Sequence, residues 1–288
     1  MGVGLLMVGG GLVAGVFGSL LGLGGGILIV PLLNLGFGLP LREAVGVSLI
    51  CVIMTSGASA AVYLERDVAN LRLGMLLELF TAAGAVLGGA VAFLVDQHWL
   101  AALFAGLLVY VAWTMIRSAG GQPQTLEAAA ALEPAIDPSP GPRDAIEETG
   151  PASVGFVDRL SRSGYRVRRL RLGAAIGVVA GVLSALLGIG GGIVKVPTMH
   201  LLMGLPLRVA TATSNLMIGI TASTSAIVYL LRGGIDPYAV GPTAVGVFIG
   251  AAIGSRTAHR IDLRVLRWLF VAVLLFTAFK MAQQAVGA

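Results

Sequence analysis

The chain reads as an all-α polytopic membrane protein made of two inverted-topology repeats. Each repeat is a Gly-broken helical hairpin followed by about three spanning helices. Three observations lead there: composition, an internal duplication and the distribution of charge. The chain is 57% hydrophobic and 11% charged, with mean hydropathy +0.93. A soluble domain carries about 25% charge. The segment GVFGSLLGLGGGILIVPLLNLGFGLPLR, Gly15 to Arg42, returns as GVLSALLGIGGGIVKVPTMHLLMGLPLR, Gly181 to Arg208. The offset is a constant 166 residues, and 17 of 28 positions are identical.

A spanning helix needs about 20 apolar residues. In the first repeat (1–118) apolar segments fall near 2–21, 25–38, 42–64, 72–95 and 99–117. In the second (172–288) they fall near 172–187, 191–204, 208–231, 238–255 and 266–286. Between them lies an insert, 119–171, holding 14 of the 33 charged residues. Its Pro-rich, polar first part lacks the apolar content needed to form a core and is expected to be disordered. Its basic end, DRLSRSGYRVRRLRLG, marks it as a cytoplasmic linker with an anchor or lipid-headgroup contact.

The loops around Arg66 and Arg72, and around Arg256, Arg260, Arg264 and Arg267, then also fall inside. The loop at Asp96 to Trp99 falls outside. That map requires the two halves to have opposite orientation, although Arg42 and Arg232 run against it. The stretch 2–38 is long for one crossing, roughly 55 Å if helical against about 30 Å of bilayer core. A broken hairpin, re-entrant or crossing twice, fits both the length and the parity.

Each hairpin tip is a glycine run: Gly22-Leu23-Gly24-Gly25-Gly26 and Gly188-Ile189-Gly190-Gly191-Gly192. Consecutive glycines interrupt a helix and admit backbone conformations that other residues avoid. The segment that follows starts with unpaired N–H groups and a partial positive charge, which suits an anion. Irregular backbone at membrane depth is tolerated only where protein covers it or it lines a cavity. A Gly-rich break in corresponding positions of two halves is a pointer to a transporter's binding site. A tight turn at the membrane surface is the plainer alternative.

The motifs GLGGGxxxVPxL and GIGGGxxxVPxM, each followed by GLPLR and a Ser-rich apolar helix, resemble the TauE/SafE family of sulfite and organosulfonate exporters. The resemblance covers both halves and leaves out only the insert. It implies a multi-pass carrier of the bacterial-type inner (cell) membrane for a small sulfur-containing anion such as sulfite or sulfoacetate. It also implies inverted repeats and no enzyme activity; the expected mode is alternating access, with export the expected direction and no cofactor. The family motif falls on Gly24, Gly25, Gly26 and Pro31, and on Gly190, Gly191, Gly192 and Pro197.

Differences between the copies point to an asymmetric site. Lys195 stands where the first copy has Ile29, and His200 where it has Asn34. A lysine inside a span is costly unless it faces a cavity or a partner. It is either a point charge for the anion or one half of an ion pair. His200 is a substrate ligand or a hydrogen-bonded structural residue. Hydroxyls and amides suit an oxyanion in a dry site, and Ser48, Ser214 and Asn215 follow the breaks most closely. Interhelical hydrogen bonding is their alternative use. Glu78 is a candidate proton-coupling carboxylate or an interfacial residue.

Tyr63 and Tyr229, like Arg66 and Arg232, read as interface anchors. Gly84-x-x-x-Gly88 and Gly250-x-x-x-Gly254 read as helix-packing seams. The three histidines lack metal-ligand spacing, and the glycine runs lack the GK[ST] of a phosphate-binding loop. The expected partners are a small anion and the lipid bilayer, with a homo-oligomer left open and no nucleic acid. A channel, or a carrier of another small organic acid anion, is the competing function.

Overall fold

The computed structural model describes residues 2–21, 25–65, 69–117, 167–257 and 263–286. Gly24, Arg66, Arg260 and the insert up to residue 166 lie outside these, as do the side chains of Ser59, Tyr63, Arg256, Arg264 and Arg267.

All regular structure among the described residues is helical. The first half runs α1 (Gly2–Leu21), α2 (Gly26–Pro31), α3 (Leu41–Glu65), α4 (Leu71–Ala92) and α5 (Gln97–Arg117). The second runs α6 (Leu170–Leu187), α7 (Gly192–Pro197), α8 (Leu207–Leu231), α9 (Pro237–Thr257) and α10 (Leu263–Val286). Six stretches, in α4, α5, α6, α8, α9 and α10, are long and apolar enough to cross a membrane. Large apolar side chains such as Leu79, Leu87, Phe248 and Phe276 lie exposed on their outer faces. That surface would be costly in water and is at no disadvantage against lipid tails. The protein is a multi-pass membrane protein.

Both α2 and α7 end on a proline and widen at once into a π-turn, Leu32–Gly36 and Thr198–Leu202. Proline has no N–H for the bond four residues back and crowds that carbonyl. The wider turn absorbs the misfit. Pro31 and Pro197 therefore set the shape of the segment that follows each glycine run.

The helices pair across the halves. The main partner of α1 is α9, and that of α4 is α6; α3 packs on α8 and α5 on α10. The first two pairs are glycine seams. A Cβ on Gly84 would lie 2.1 Å from the Val178 carbonyl oxygen, and one on Gly181 would lie 2.0 Å from that of Thr81. In the matching pair, Gly250 faces the Leu12 carbonyl and Gly15 that of Val247, at 2.1 and 2.3 Å. Backbones this close exclude any side chain larger than hydrogen, which is how small residues bind membrane helices together. Contacts advance in step along each pair, Val8 with Gly246 and then Leu12 with Gly250, so α1 and α9 run parallel.

Arg42 explains its exception to the charge map. Its guanidinium donates to the carbonyls of Ala92 and Val95, at 3.1 and 2.6 Å, and so satisfies the C-terminal end of α4. Tyr229 is fully buried, with its hydroxyl donating 3.0 Å to the Ala185 carbonyl. It is an internal tie between α8 and α6 and not an interface anchor.

Gly84→Val is expected to lower stability by about 1–3 kcal/mol or more, because α4 and α6 must separate. Gly106, in α5, has open space at its Cβ position. Gly106→Ala is expected to hold or raise the melting temperature in detergent, since alanine is favoured over glycine in a helix by about 1 kcal/mol. Melting curves of the two variants check both.

Candidate functional site

The two glycine runs meet in the middle of the chain's packing. Gly25 and Gly191, which precede α2 and α7, have φ of 76° and 75°, and Gly190 also has 75°. Only glycine adopts this left-handed conformation without strain. At Gly25 and Gly191 the glycine carbonyl accepts the first internal hydrogen bonds of the short helix, and the N–H groups ahead of them have no partner within it. A Cβ on Gly26 would lie 2.5 Å from the Gly188 carbonyl oxygen, so the first run sits against the second. Ser48 of α3 joins them: its hydroxyl lies 2.7 Å from the Gly188 carbonyl and 3.3 Å from that of Gly26.

Around this junction the two copies differ in kind. The space beside Gly191 is bounded by the Ala180 carbonyl, Ser184 Cβ and Lys195 Cε, at 3.1, 3.3 and 3.5 Å from a Cβ placed there. Beside Gly25 the corresponding neighbours are the Ala14 carbonyl and Ile29 Cδ1. Gly18 occupies the position equivalent to Ser184. Ser214 Oγ lies 3.8 Å from a Cβ on Gly192. Both Ser184 and Ser214 are fully buried, and neither hydroxyl has a hydrogen-bond partner among the described residues. Buried hydroxyls of this kind call for an explanation, because leaving one unpaired costs about 1–3 kcal/mol. Among the described residues, the second junction is therefore polar and under-satisfied.

From beside the break, Lys195 carries its ammonium into a buried cluster. Its ammonium contacts Glu78 Oε2 of α4 at 3.3 Å, and the two side chains are 3% and 5% exposed. It also donates to the Thr221 hydroxyl of α8. Thr221 in turn donates to Glu78 Oε1 at 2.6 Å, and Thr81 donates to Oε2 at 2.7 Å. Glu78 is thus a buried, fully hydrogen-bonded carboxylate and not an interfacial one. A cavity of about 10 Å³ lies between this cluster and α6, lined by Thr81, Gly177, Ala180, Lys195 and Thr198 among others. It is about the size of one water molecule.

The remaining candidates serve the frame. His200 places Nδ1 2.8 Å from the Leu205 carbonyl, as Asn34 places its amide 2.8 Å from that of Leu39. Both clasp the loop after the π-turn. Asn215 uses its backbone carbonyl to accept from the Ser56 hydroxyl, tying α8 to α3. Among the described residues, no group of three His, Cys, Asp or Glu could hold a metal ion. The sequence reading missed Ser184, which stands where the first copy has glycine. It also missed the Glu78–Lys195 pair. Comparing the two copies position by position was the signal for Ser184. The pair joins residues 117 apart and had none.

Six helices long and apolar enough to cross a bilayer, packed with buried polar groups between them, define a multi-pass membrane protein of the transporter class. The family model for the sulfite exporter TauE/SafE matches residues 7–281. The chain belongs to that family. It is similar to the probable membrane transporter protein YunE of Bacillus subtilis, 25% identical over 283 residues and covering 96% of both chains. It is also similar to the probable membrane transporter protein MamO of Magnetospirillum gryphiswaldense, 26% identical over 98% of this chain and 44% of that protein. A third relative is the sulfite exporter TauE/SafE family protein 3 of Arabidopsis thaliana, 30% identical over 40% of this chain and 25% of that one. No solved structure matches the chain.

Glu78→Ala leaves a buried ammonium unpaired and is expected to destabilise the protein by about 3–5 kcal/mol. Glu78→Leu combined with Lys195→Met removes both charges and is expected to recover most of that loss. Thermal melting of single and double variants measures the difference.

Proposed function

We propose that the protein is a secondary transporter that moves a small sulfur-containing anion, sulfite or a short organosulfonate such as sulfoacetate, across the inner membrane. Export is the direction carried by the family's description. The observation that supports a site most directly is the second break. There two buried, unpartnered hydroxyls, Ser184 and Ser214, flank Gly190, Gly191 and Gly192 beside Lys195. Hydroxyls and helix-start N–H groups are donors, which an oxyanion needs once it has left water. The first break, with Gly24, Gly25, Gly26 and Ser48, forms the facing wall.

Inverted repeats agree with the packing. His98, at the start of α5, contacts the Gln284 carbonyl at the end of α10. These are corresponding helices of the two halves, and they run in opposite directions. A hairpin at each break agrees with the contacts of its arms. Gly10 meets Leu32, Gly173 meets the Met203 sulfur, and the Arg168 N–H donates 3.1 Å to the Met203 carbonyl. The return arm thus lies along the helix that precedes it. The basic end of the insert supports a cytoplasmic linker.

The cavity beside Lys195 is far too small for a sulfonate. Binding therefore requires the packed elements to part, as alternating access demands, with one bundle rocking against the other around a fixed site. A permanently open anion pore fits this packing less well.

A thermal-shift screen of purified protein is expected to register sulfite, sulfoacetate or thiosulfate in preference to small carboxylates. Saturable flux of the same anion in liposomes separates a carrier from a channel. Ser184→Ala and Ser214→Ala are each expected to weaken binding about tenfold to a hundredfold, the worth of one hydrogen bond to a charged partner. Affinities equal to the parent's would exclude these hydroxyls as ligands.

A further inference from the structure

We infer that the Glu78–Lys195 pair is the proton site that couples to the anion: the anion and one proton bind together. The inference rests on the anion site proposed at the second break. Lys195 belongs to that break, its Cε lying 3.5 Å from a Cβ on Gly191, yet its ammonium is held by Glu78 at 3.3 Å. The pair is neutral as it stands. An anion that engages the ammonium from the break leaves two negative groups around one positive group, all out of contact with water. An uncompensated charge in such a place costs several kcal/mol. One proton from bulk water, taken by the Glu78 carboxylate, offsets one unit of the anion's charge. Conversely, a proton on Glu78 leaves the ammonium without a counter-charge, and that attracts the anion. The two binding events therefore favour each other, by the same factor in each direction.

The surroundings can accommodate both states. Thr81 and Thr221 each carry one hydroxyl proton and have a second acceptor within reach, Thr81 the Glu78 carbonyl at 3.1 Å and Thr221 the Met217 carbonyl at 2.9 Å. When Glu78 is protonated, Thr221 can turn its hydrogen to Met217 and accept from the carboxyl. No new group has to be brought in. The other described charged side chains of α4 and α6 and the loop before it, Arg72, Arg168, Arg169 and Arg171, are exposed at or beside the N-terminal ends of these helices. His200, after α7, is engaged with the Leu205 carbonyl. The described side chains of α8 add hydroxyls and apolar groups and no charge. The equivalent of Lys195 in the first copy is Ile29 and that of Glu78 in the second is Ala244, so this proton site exists once per chain.

Titration calorimetry of sulfoacetate into the full chain, in two buffers of different ionisation enthalpy, counts the protons taken up on binding. Close to one proton per sulfoacetate is expected, with affinity falling up to tenfold per pH unit on the alkaline side. Glu78→Gln, which mimics the protonated carboxyl, is expected to bind sulfoacetate with no proton uptake and a flat pH profile. His200→Asn must keep the uptake, because Asn34 already makes the equivalent bond. Binding to the parent without proton uptake overturns the coupling and leaves the anion site standing. Uptake that survives Glu78→Gln, or vanishes in His200→Asn, also overturns it. Should Glu78→Gln fail to fold, the proton counts for the parent and His200→Asn decide the matter. If neither sulfoacetate nor sulfite binds the parent, the anion-site reading itself fails and the coupling falls with it.

Discussion

A helix can be broken inside a membrane only if protein takes over the hydrogen bonds that the break releases. The rest of this structure follows from that constraint. Gly188 to Gly191 separate α6 from α7, leaving carbonyls and N–H groups that protein must satisfy. The two runs are therefore pressed against each other. Ser48 reaches carbonyls of both, and Gly26 approaches Gly188 too closely for any side chain. Around them α3 and α8 form an inner layer, while the seams α1–α9 and α4–α6 close the two sides.

Within that shared frame the copies have diverged in chemistry more than in shape. Clasps recur at equivalent positions with different residues, Asn34 and His200, doing the same work. By contrast, Gly18 and Ile29 have become Ser184 and Lys195, converting an apolar junction into one with unsatisfied hydroxyls and a charge. The charge is tolerated because Glu78, from the other half, supplies the counter-charge along with Thr81 and Thr221. An ion pair at such depth adds little to stability, since desolvation offsets much of the attraction.

Much of this was legible in the sequence. The constant offset between GLGGG and GIGGG fixes the correspondence of elements, and the described helices keep it throughout. Apolar length located the spans to within a few residues. What the sequence could not reveal was which helix lies beside which. Hydropathy reports burial in lipid or protein alike, so Glu78 read as interfacial when a lysine from the other half covers it. Tyr229 misled in the same way, because an aromatic near a helix end looks alike whether it faces headgroups or the Ala185 carbonyl. Lys195 and Ser214 were found because the copies could be compared residue by residue. Ser184, which stands where the first copy has Gly18, was not among the candidates.

The exchange of partners between halves has a consequence for how the molecule is made. Gly4 sits against Pro242, its eventual neighbour, 238 residues further along the chain. At about 5–20 residues per second, synthesis needs roughly 10–50 s to deliver α9 after α1 has emerged. During that interval α1 waits in the bilayer with its glycine stripe facing lipid, and the first half cannot close on its own. Assembly is thus a late, long-range event that depends on both halves being present. An insertion machinery that retains early helices, or a lipid environment that keeps them from mispairing, is as much a requirement of this fold as any residue in it.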